Sequence, residues 1–132
     1  MSLEKLADKF IKAETEAWVN GNVDALDEID APDVFVHSIP PMPDTKGCDA
    51  HKQYIATARK IFNNIRFEWK HVMSEGDIFA VFYTEQATVA GEIPGIPMPT
   101  GAKVSAGVTC ICRVKNDKIA EIWFTGSFTI DK

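Results

Sequence analysis

VSAGVTCICRVKNDKIAEIWFTGSFTI, from Val104 to Ile130, is two runs of β-branched, small and aromatic residues around Asn116-Asp117. Such runs about a two-residue Asn-Asp step predict a β-hairpin. With that turn, Val114 pairs with Ile119, Cys112 with Glu121, Cys110 with Trp123, Val108 with Thr125 and Ala106 with Ser127. The second strand then has one wholly apolar face, Ile122 to Ile130, and one mixed face of Glu121, Trp123, Thr125, Ser127 and Thr129. Small neighbours on the first strand leave open volume beside Trp123, which a wet surface does not need. The Trp-Thr-Ser face is therefore expected to wall a ligand space.

Upstream lies a second hairpin. Ile65, Phe67, Trp69, His71 and Met73 alternate with polar residues up to SEGD, and IFAVFYTEQATVA follows as a long strand. A tight turn at SEGD sets Phe67, Trp69, His71 and Met73 on one face with Ile78, Ala80, Phe82 and Thr84, and that face is expected to be interior. GEIPGIPMPTGAK, with three prolines and three glycines, is an irregular connection between the two hairpins.

The N-terminal half has helical period. Leu3, Leu6, Phe10, Ala13 and Ala17 predict a helix capped by Ser2, ending near Trp18 and stopped by Asn20-Gly21. Asn22 caps a short second helix, VDALDEI, closed by Pro32, and Val34–His37 is extended. SIPPMPDTKG is a proline-held loop, and the apolar spacing from Asp49 to Phe62 predicts a third helix. Helices segregated from four antiparallel strands define an α+β domain over residues 1–132, with the helices laid across one face of a curved sheet.

Composition narrows the function. With 14 basic and 19 acidic residues and no basic run, the net charge of −5 disfavours nucleic acid and anionic membrane. No apolar run approaches the ~20 residues of a spanning helix. MSLEKLADKF lacks the apolar core of a secretion signal, and Cys48, Cys110 and Cys112 leave at least one thiol unpaired, so a reducing cytoplasm is expected. No phosphate loop, nucleophile elbow or HExxH is present, and His37, His51 and His71 lack metal-ligand spacing, so neither metal nor cofactor is expected.

Several side chains remain as candidates. His37 ends an apolar strand at a proline-held loop, where it serves either a pocket or the structure. His71 is a core histidine or a functional one, and Tyr54 can reach the same interior with its hydroxyl. Trp18, Trp69 and Trp123 are core mass or stacking surfaces. His51, among Asp49, Lys52 and Gln53, reads as a solvated surface residue.

The chain resembles the SnoaL-like polyketide cyclases of the nuclear transport factor 2-like superfamily. The residues that carry this are NGNVDALDEI, FVHSIP, SEGDIFAVFYTEQATVAGEIPGIPMPTGAKV and KNDKIAEIWF, with GEIPGIPMPTG similar to the family's G-x-x-x-G-I-P-x-T-G loop but with one extra residue before the threonine. The resemblance implies a cone-shaped α+β fold with a strongly curved, mainly antiparallel sheet packed on three N-terminal helices, and a homodimer through the outer sheet face. It also implies a pocket for an apolar organic molecule, in which an aspartate on the last strand drives cyclisation without cofactor. His37 matches the histidine after the family's first strand, and Trp123 the tryptophan of its E-H-W motif, where Ile122 replaces histidine. The aspartate's place is taken by Ser127, with Thr125 two residues earlier.

The expectation is a pocket for an apolar or ester- or keto-bearing molecule, lined by Tyr54, Trp69, His71, Thr84, Cys110, Trp123 and Thr125, with the acid/base aspartate replaced by serine. The alternatives are a cofactor-free cyclase, isomerase or dehydratase with His37 as base and Ser127 as hydrogen-bond donor, or a protein-assembly module.

Overall fold

Helix α1 spans Leu3–Asn20 because Ser2 caps it, its hydroxyl accepting the Lys5 N–H at 3.2 Å, and because Leu6, Phe10, Ala13 and Ala17 share one buried face. It stops where Gly21 turns left-handed at φ 79° and returns its N–H to the Glu16 carbonyl. The expected second helix is a short 3-10 helix, Val23–Glu28, whose last carbonyls, on Asp27 and Glu28, accept from Lys118 Nζ.

The chain then runs through β1 (Asp30–His37), β2 (Thr45–Lys46), α2 (Cys48–Ile61), β3 (Phe62–Glu75), β4 (Ile78–Val89), β5 (Lys103–Lys115) and β6 (Lys118–Asp131). β1 begins four residues before the expected Val34, at Asp30. The computed structural model describes residues 2–92 and 98–131; residues 93–97, the middle of the expected irregular connection, lie outside the described residues.

Six strands form one open sheet in the order β2-β1-β6-β5-β4-β3, antiparallel except where β1 runs parallel to β6. α1 packs on β3 and β4, and α2 on β1 and β2. Between helices and sheet lies a core of Leu6, Phe10, Leu26, Ile55, Phe79, Val81, Val108 and Ile122, with a smaller cluster of Val89, Ala102 and Val104 at one end.

Both hairpins turn where expected, yet each carries a β-bulge a few residues on. In the β5–β6 hairpin Val114 pairs with Ile119, but the next pair is Arg113 with Glu121, so Ala120 is unpaired. Cys112 therefore faces Ile122, Cys110 faces Phe124, Val108 faces Gly126 and Ala106 faces Phe128, not the expected Glu121, Trp123, Thr125 and Ser127. In the β3–β4 hairpin Met73 pairs with Ala80 but His71 pairs with Val81, which leaves Val72 extra. The interior of β4 is thus Phe79, Val81, Tyr83 and Glu85, while Thr84 and Phe82 turn outward. One extra residue reverses every later side chain, because strand faces alternate with a period of two.

Candidate functional site

A cavity of about 620 Å³ opens between α2, the Ser38–Pro43 loop and the inner face of the sheet. Its walls are mostly apolar, including Ile39, Met42, Ile61, Phe67, Phe124 and Phe128. Bulged strands place them there: the wholly apolar face of β6 forms this wall, not the Trp-Thr-Ser face. Gly126 lets β5 and β6 approach, since a Cβ there would lie 2.2 Å from the Gly107 carbonyl oxygen.

Among the described residues, four ionisable groups border this cavity: His51, Tyr54, Tyr83 and Glu85. Glu85 stands in register with the apolar series Phe79, Val81 and Tyr83 on β4, and burial alone pushes its carboxyl from 4.5 to about 7. Burial, with the negative charge of Glu85 added, raises Tyr54 to about 12. Tyr83 is pushed up by burial, by Cys110 and by Glu85, and packs edge-on to Phe67 at 5.1 Å.

His51 is not a surface residue: it is 2% exposed and ringed by carboxylates from two other elements. Its Nδ1 lies 2.7 Å from Asp30 Oδ2, and its Nε2 faces Glu14 Oε1 at 3.6 Å. Burial alone would lower its pKa, but the Asp30 hydrogen bond and the charges of Glu14 and Asp30 outweigh that and raise it. Glu14 is pushed to about 7, first by burial and further by Asp30, against the lowering effects of His51 and of the Trp18 Nε1–H, which donates to Oε2 at 3.0 Å. Glu14 Oε1, Asp30 Oδ1 and the cavity-lining Thr45 Oγ1 are buried without a hydrogen-bond partner among the described residues.

Of the residues expected to line the ligand space, Tyr54 borders this cavity and the others do not. His37 falls between two lining residues, Val36 and Ser38, and strand alternation turns it away. It joins an outer cluster: Nε2 is 2.6 Å from Glu121 Oε2, its ring stacks on Trp123 at 5.2 Å, and Arg113 Nη2 donates to Glu121 Oε1 at 3.2 Å. The His37 hydrogen bond, joined by Arg113, holds Glu121 below the usual carboxylate range. Thr125 and Ser127 are exposed on that outer side, in register with Thr109 and Gly107, and Thr84 is exposed as well. His71 Nε2 lies 2.8 Å from Ser74 Oγ on its own strand. Trp69 packs among Phe10, Phe67 and Tyr83, and Cys110 is wholly buried in the core.

The missed residues had partial signals in the sequence. Glu14 sits four residues after Phe10 and four before Trp18, in the centre of the apolar face of α1. His51 shares the spacing of Ile55 and Ala58 on the buried face of α2. Glu85 needed the correct parity of β4, which the bulge concealed.

Residues 9–126 match the family described as SnoaL-like polyketide cyclase, so the chain belongs to that family. No curated protein matches the sequence. Among solved structures, a protein assigned to the SnoaL-like polyketide cyclases from Jannaschia sp. CCS1 superposes with a TM-score of 0.79 at 18% identity, covering 96% of this chain and 90% of that one. Another, from Mesorhizobium loti, gives 0.72 at 23% identity over 95% and 99%. A protein of ketosteroid isomerase-like fold from Catenulispora acidiphila, in complex with trimethylamine, gives 0.68 at 16% identity over 87% and 82%. These likenesses establish the α+β cone with its curved, unclosed sheet, as the sequence resemblance implied.

Proposed function

We propose that the protein binds an apolar, carbonyl-bearing organic molecule in the cavity and moves a proton at the carbon beside that carbonyl, with Glu85 as the base and no cofactor. The observation that carries this is a carboxylate set in an apolar wall and held near 7 by burial alone. A general base works best with a pKa close to the operating pH, and an isolated buried carboxylate has it. The volume, about 620 Å³, suits a bicyclic or tricyclic ligand. Glu85 on β4 then supplies the carboxylate that the last strand, with Ser127, lacks, and His37 on the outer face is left to structure or assembly.

Deuterium exchange tests it. Apolar cyclic ketones such as tetralones and indanones, incubated with the protein in D2O and followed by NMR, should exchange their α-hydrogens, and Glu85→Gln should slow this about 100-fold or more. Equal rates in the variant would remove Glu85 from the chemistry. Saturable binding with no exchange in either protein would favour the reading of a pure binding module.

A homodimer through the outer sheet face is proposed as well, supported by Phe82, Ile111 and Met73, which are exposed there at 36%, 39% and 39%. Three free cysteines favour the expected reducing, cytoplasmic setting. Among the described residues no helix is long and apolar enough to cross a membrane.

A further inference from the structure

The strand register sets Glu85 in a row that crosses four strands on the inner face of the sheet. Phe67 on β3 stands directly opposite it, Ala106 on β5 stands opposite on the other side, and Phe128 on β6 follows beyond Ala106. Tyr83, two residues back on the same face of β4, lies beside Glu85, and its ring is 5.1 Å from that of Phe67 with the two planes at 89°. Ala106 contributes only a methyl group to the row, which leaves Glu85 uncovered toward β5. Glu85, Phe67, Tyr83 and Phe128 all border the cavity, and Tyr54 comes within electrostatic reach of the same carboxylate from the helix side.

The charge around this row is of one sign. Among the described residues, no lysine or arginine lines the cavity, and neither a hydrogen bond nor an opposite charge bears on Glu85. His51 borders the cavity as well, but Asp30 Oδ2 at 2.7 Å and Glu14 Oε1 at 3.6 Å stand against it, so protonating its ring gives that end no net positive charge. The faces of aromatic rings add partial negative charge of their own. A carboxylate without a partner in an apolar wall is costly, and a cation with an apolar body would offset that cost by pairing the charge and lying against the ring faces. An anion in the same place would meet only repulsion.

We propose that the cavity takes an apolar amine in its protonated form, with the ammonium against Glu85 and the rings of Phe67 and Tyr83, and the hydrocarbon body against the walls at Phe124 and Phe128. Ligands that carry a carboxylate or a phosphate are refused. The proposal shares with the function above only the cavity as the ligand site, and it does not need Glu85 to act as a base. Ionised Glu85 is the form that pairs with the cation, so amine affinity rises with pH through about 7, where the free carboxyl titrates. Tyr54 and Tyr83, the titratable groups that face Glu85 from α2 and from its own strand, are both raised by burial and stay neutral in that range. His51 titrates at the other end of the cavity, and removing the Glu85 charge separates its effect from that of Glu85.

The probes share one bicycle: 2-(1-naphthyl)ethylamine carries a cation, 1-ethylnaphthalene no charge and 1-naphthylacetate an anion. Fluorescence titration of the intact protein at pH 8 should show the amine bound about 10-fold or more tighter than the neutral probe, and about 100-fold or more tighter than the anion. Between pH 8 and pH 5.5 the amine should lose about 10-fold in affinity, while the neutral probe changes by less than about 3-fold. Glu85→Gln should bring the amine to within about 3-fold of the neutral probe, remove its pH dependence and leave neutral binding close to that of the parent. Glutamate labelled with 13C in the unsubstituted protein supplies a readout that needs no variant: the amine should lower the pH at which the Glu85 carboxyl titrates from about 7 to below about 6, and the neutral probe should leave it in place. An amine bound no tighter than 1-ethylnaphthalene, an anion bound as tightly as the amine, a preference or a pH dependence that survives Glu85→Gln, or an unmoved Glu85 titration would overturn the proposal. Amine selectivity with no exchange of ketone α-hydrogens would remove the reading of Glu85 as base and leave this site standing; exchange with no amine preference would do the reverse.

Discussion

Replacing Glu85 with glutamine should stabilise the protein, and only at high pH. The carboxyl rises from an ordinary 4.5 to about 7 in the folded chain, so the fold prefers it protonated. Because the folded value lies above the unfolded one, the penalty for ionising Glu85 is absent below about pH 4.5. It grows between there and about pH 7 and is complete above it. At about 1.36 kcal/mol per tenfold change, the full shift corresponds to a ceiling of about 3 kcal/mol. Glu85 borders a cavity that admits water, and that screening reduces the expected effect to about 1–2 kcal/mol. Glutamine keeps the shape and removes the charge. Urea unfolding of the two proteins at pH 4, 6 and 8 should show almost no difference at the first, an intermediate gain for the variant at the second, and a gain of about 1–2 kcal/mol at the last. A difference that is flat with pH, or of opposite sign at pH 8, would refute the claim that Glu85 is held in an apolar wall by burial alone. A confirmed gain would identify a residue kept at a cost in stability, which is the usual mark of a functional group.

Asp30→Asn should cost about 3–5 kcal/mol in chemical denaturation, because it strips the buried His51 of the carboxylate 2.7 Å from its Nδ1. His51 has a raised pKa, so its contribution is present at low pH and is lost as pH rises through the folded value; Asp30→Asn should flatten that loss in a pH series of melting temperatures. Gly126→Ala should lower stability by about 2 kcal/mol or more, since the added Cβ would meet the Gly107 carbonyl oxygen at 2.2 Å and force β5 and β6 apart. The proposed homodimer predicts that the parent protein scatters light as a dimer and that Ile111→Glu, on the outer face in register with Trp123, scatters as a monomer with an unchanged circular dichroism spectrum; a monomeric parent would refute the dimer.

Much of the fold was legible because it rests on local signals. The Ser2 cap and Gly21 stop bound α1, the proline-held segment forms the loop over the cavity, and Asn116-Asp117 turns the last hairpin as its residues predict. Apolar period separated helices from strands, which was enough for the α+β class. What local pattern could not show was the extra residue at Val72 and at Ala120. A bulge changes no composition, and although Ile119 and Ile122 are both buried three residues apart in β6, such a break in alternation reads equally as a strand end; only pairing with the neighbouring strand tells the two apart.

The site inherits that division. Sequence by itself established helices laid on a curved sheet, because periodicity and turn chemistry act within a few residues, and its motifs carried the resemblance to the family that matches residues 9–126. Tertiary structure decided which face of each strand turned inward. It moved Trp123, Thr125 and Ser127 to the outside and brought Glu85 to the cavity wall. It alone joined Glu14, Asp30 and His51, which come from three separate elements. Their chemistry depends on burial and on distances of a few ångströms between segments far apart in the chain, and no local pattern encodes those.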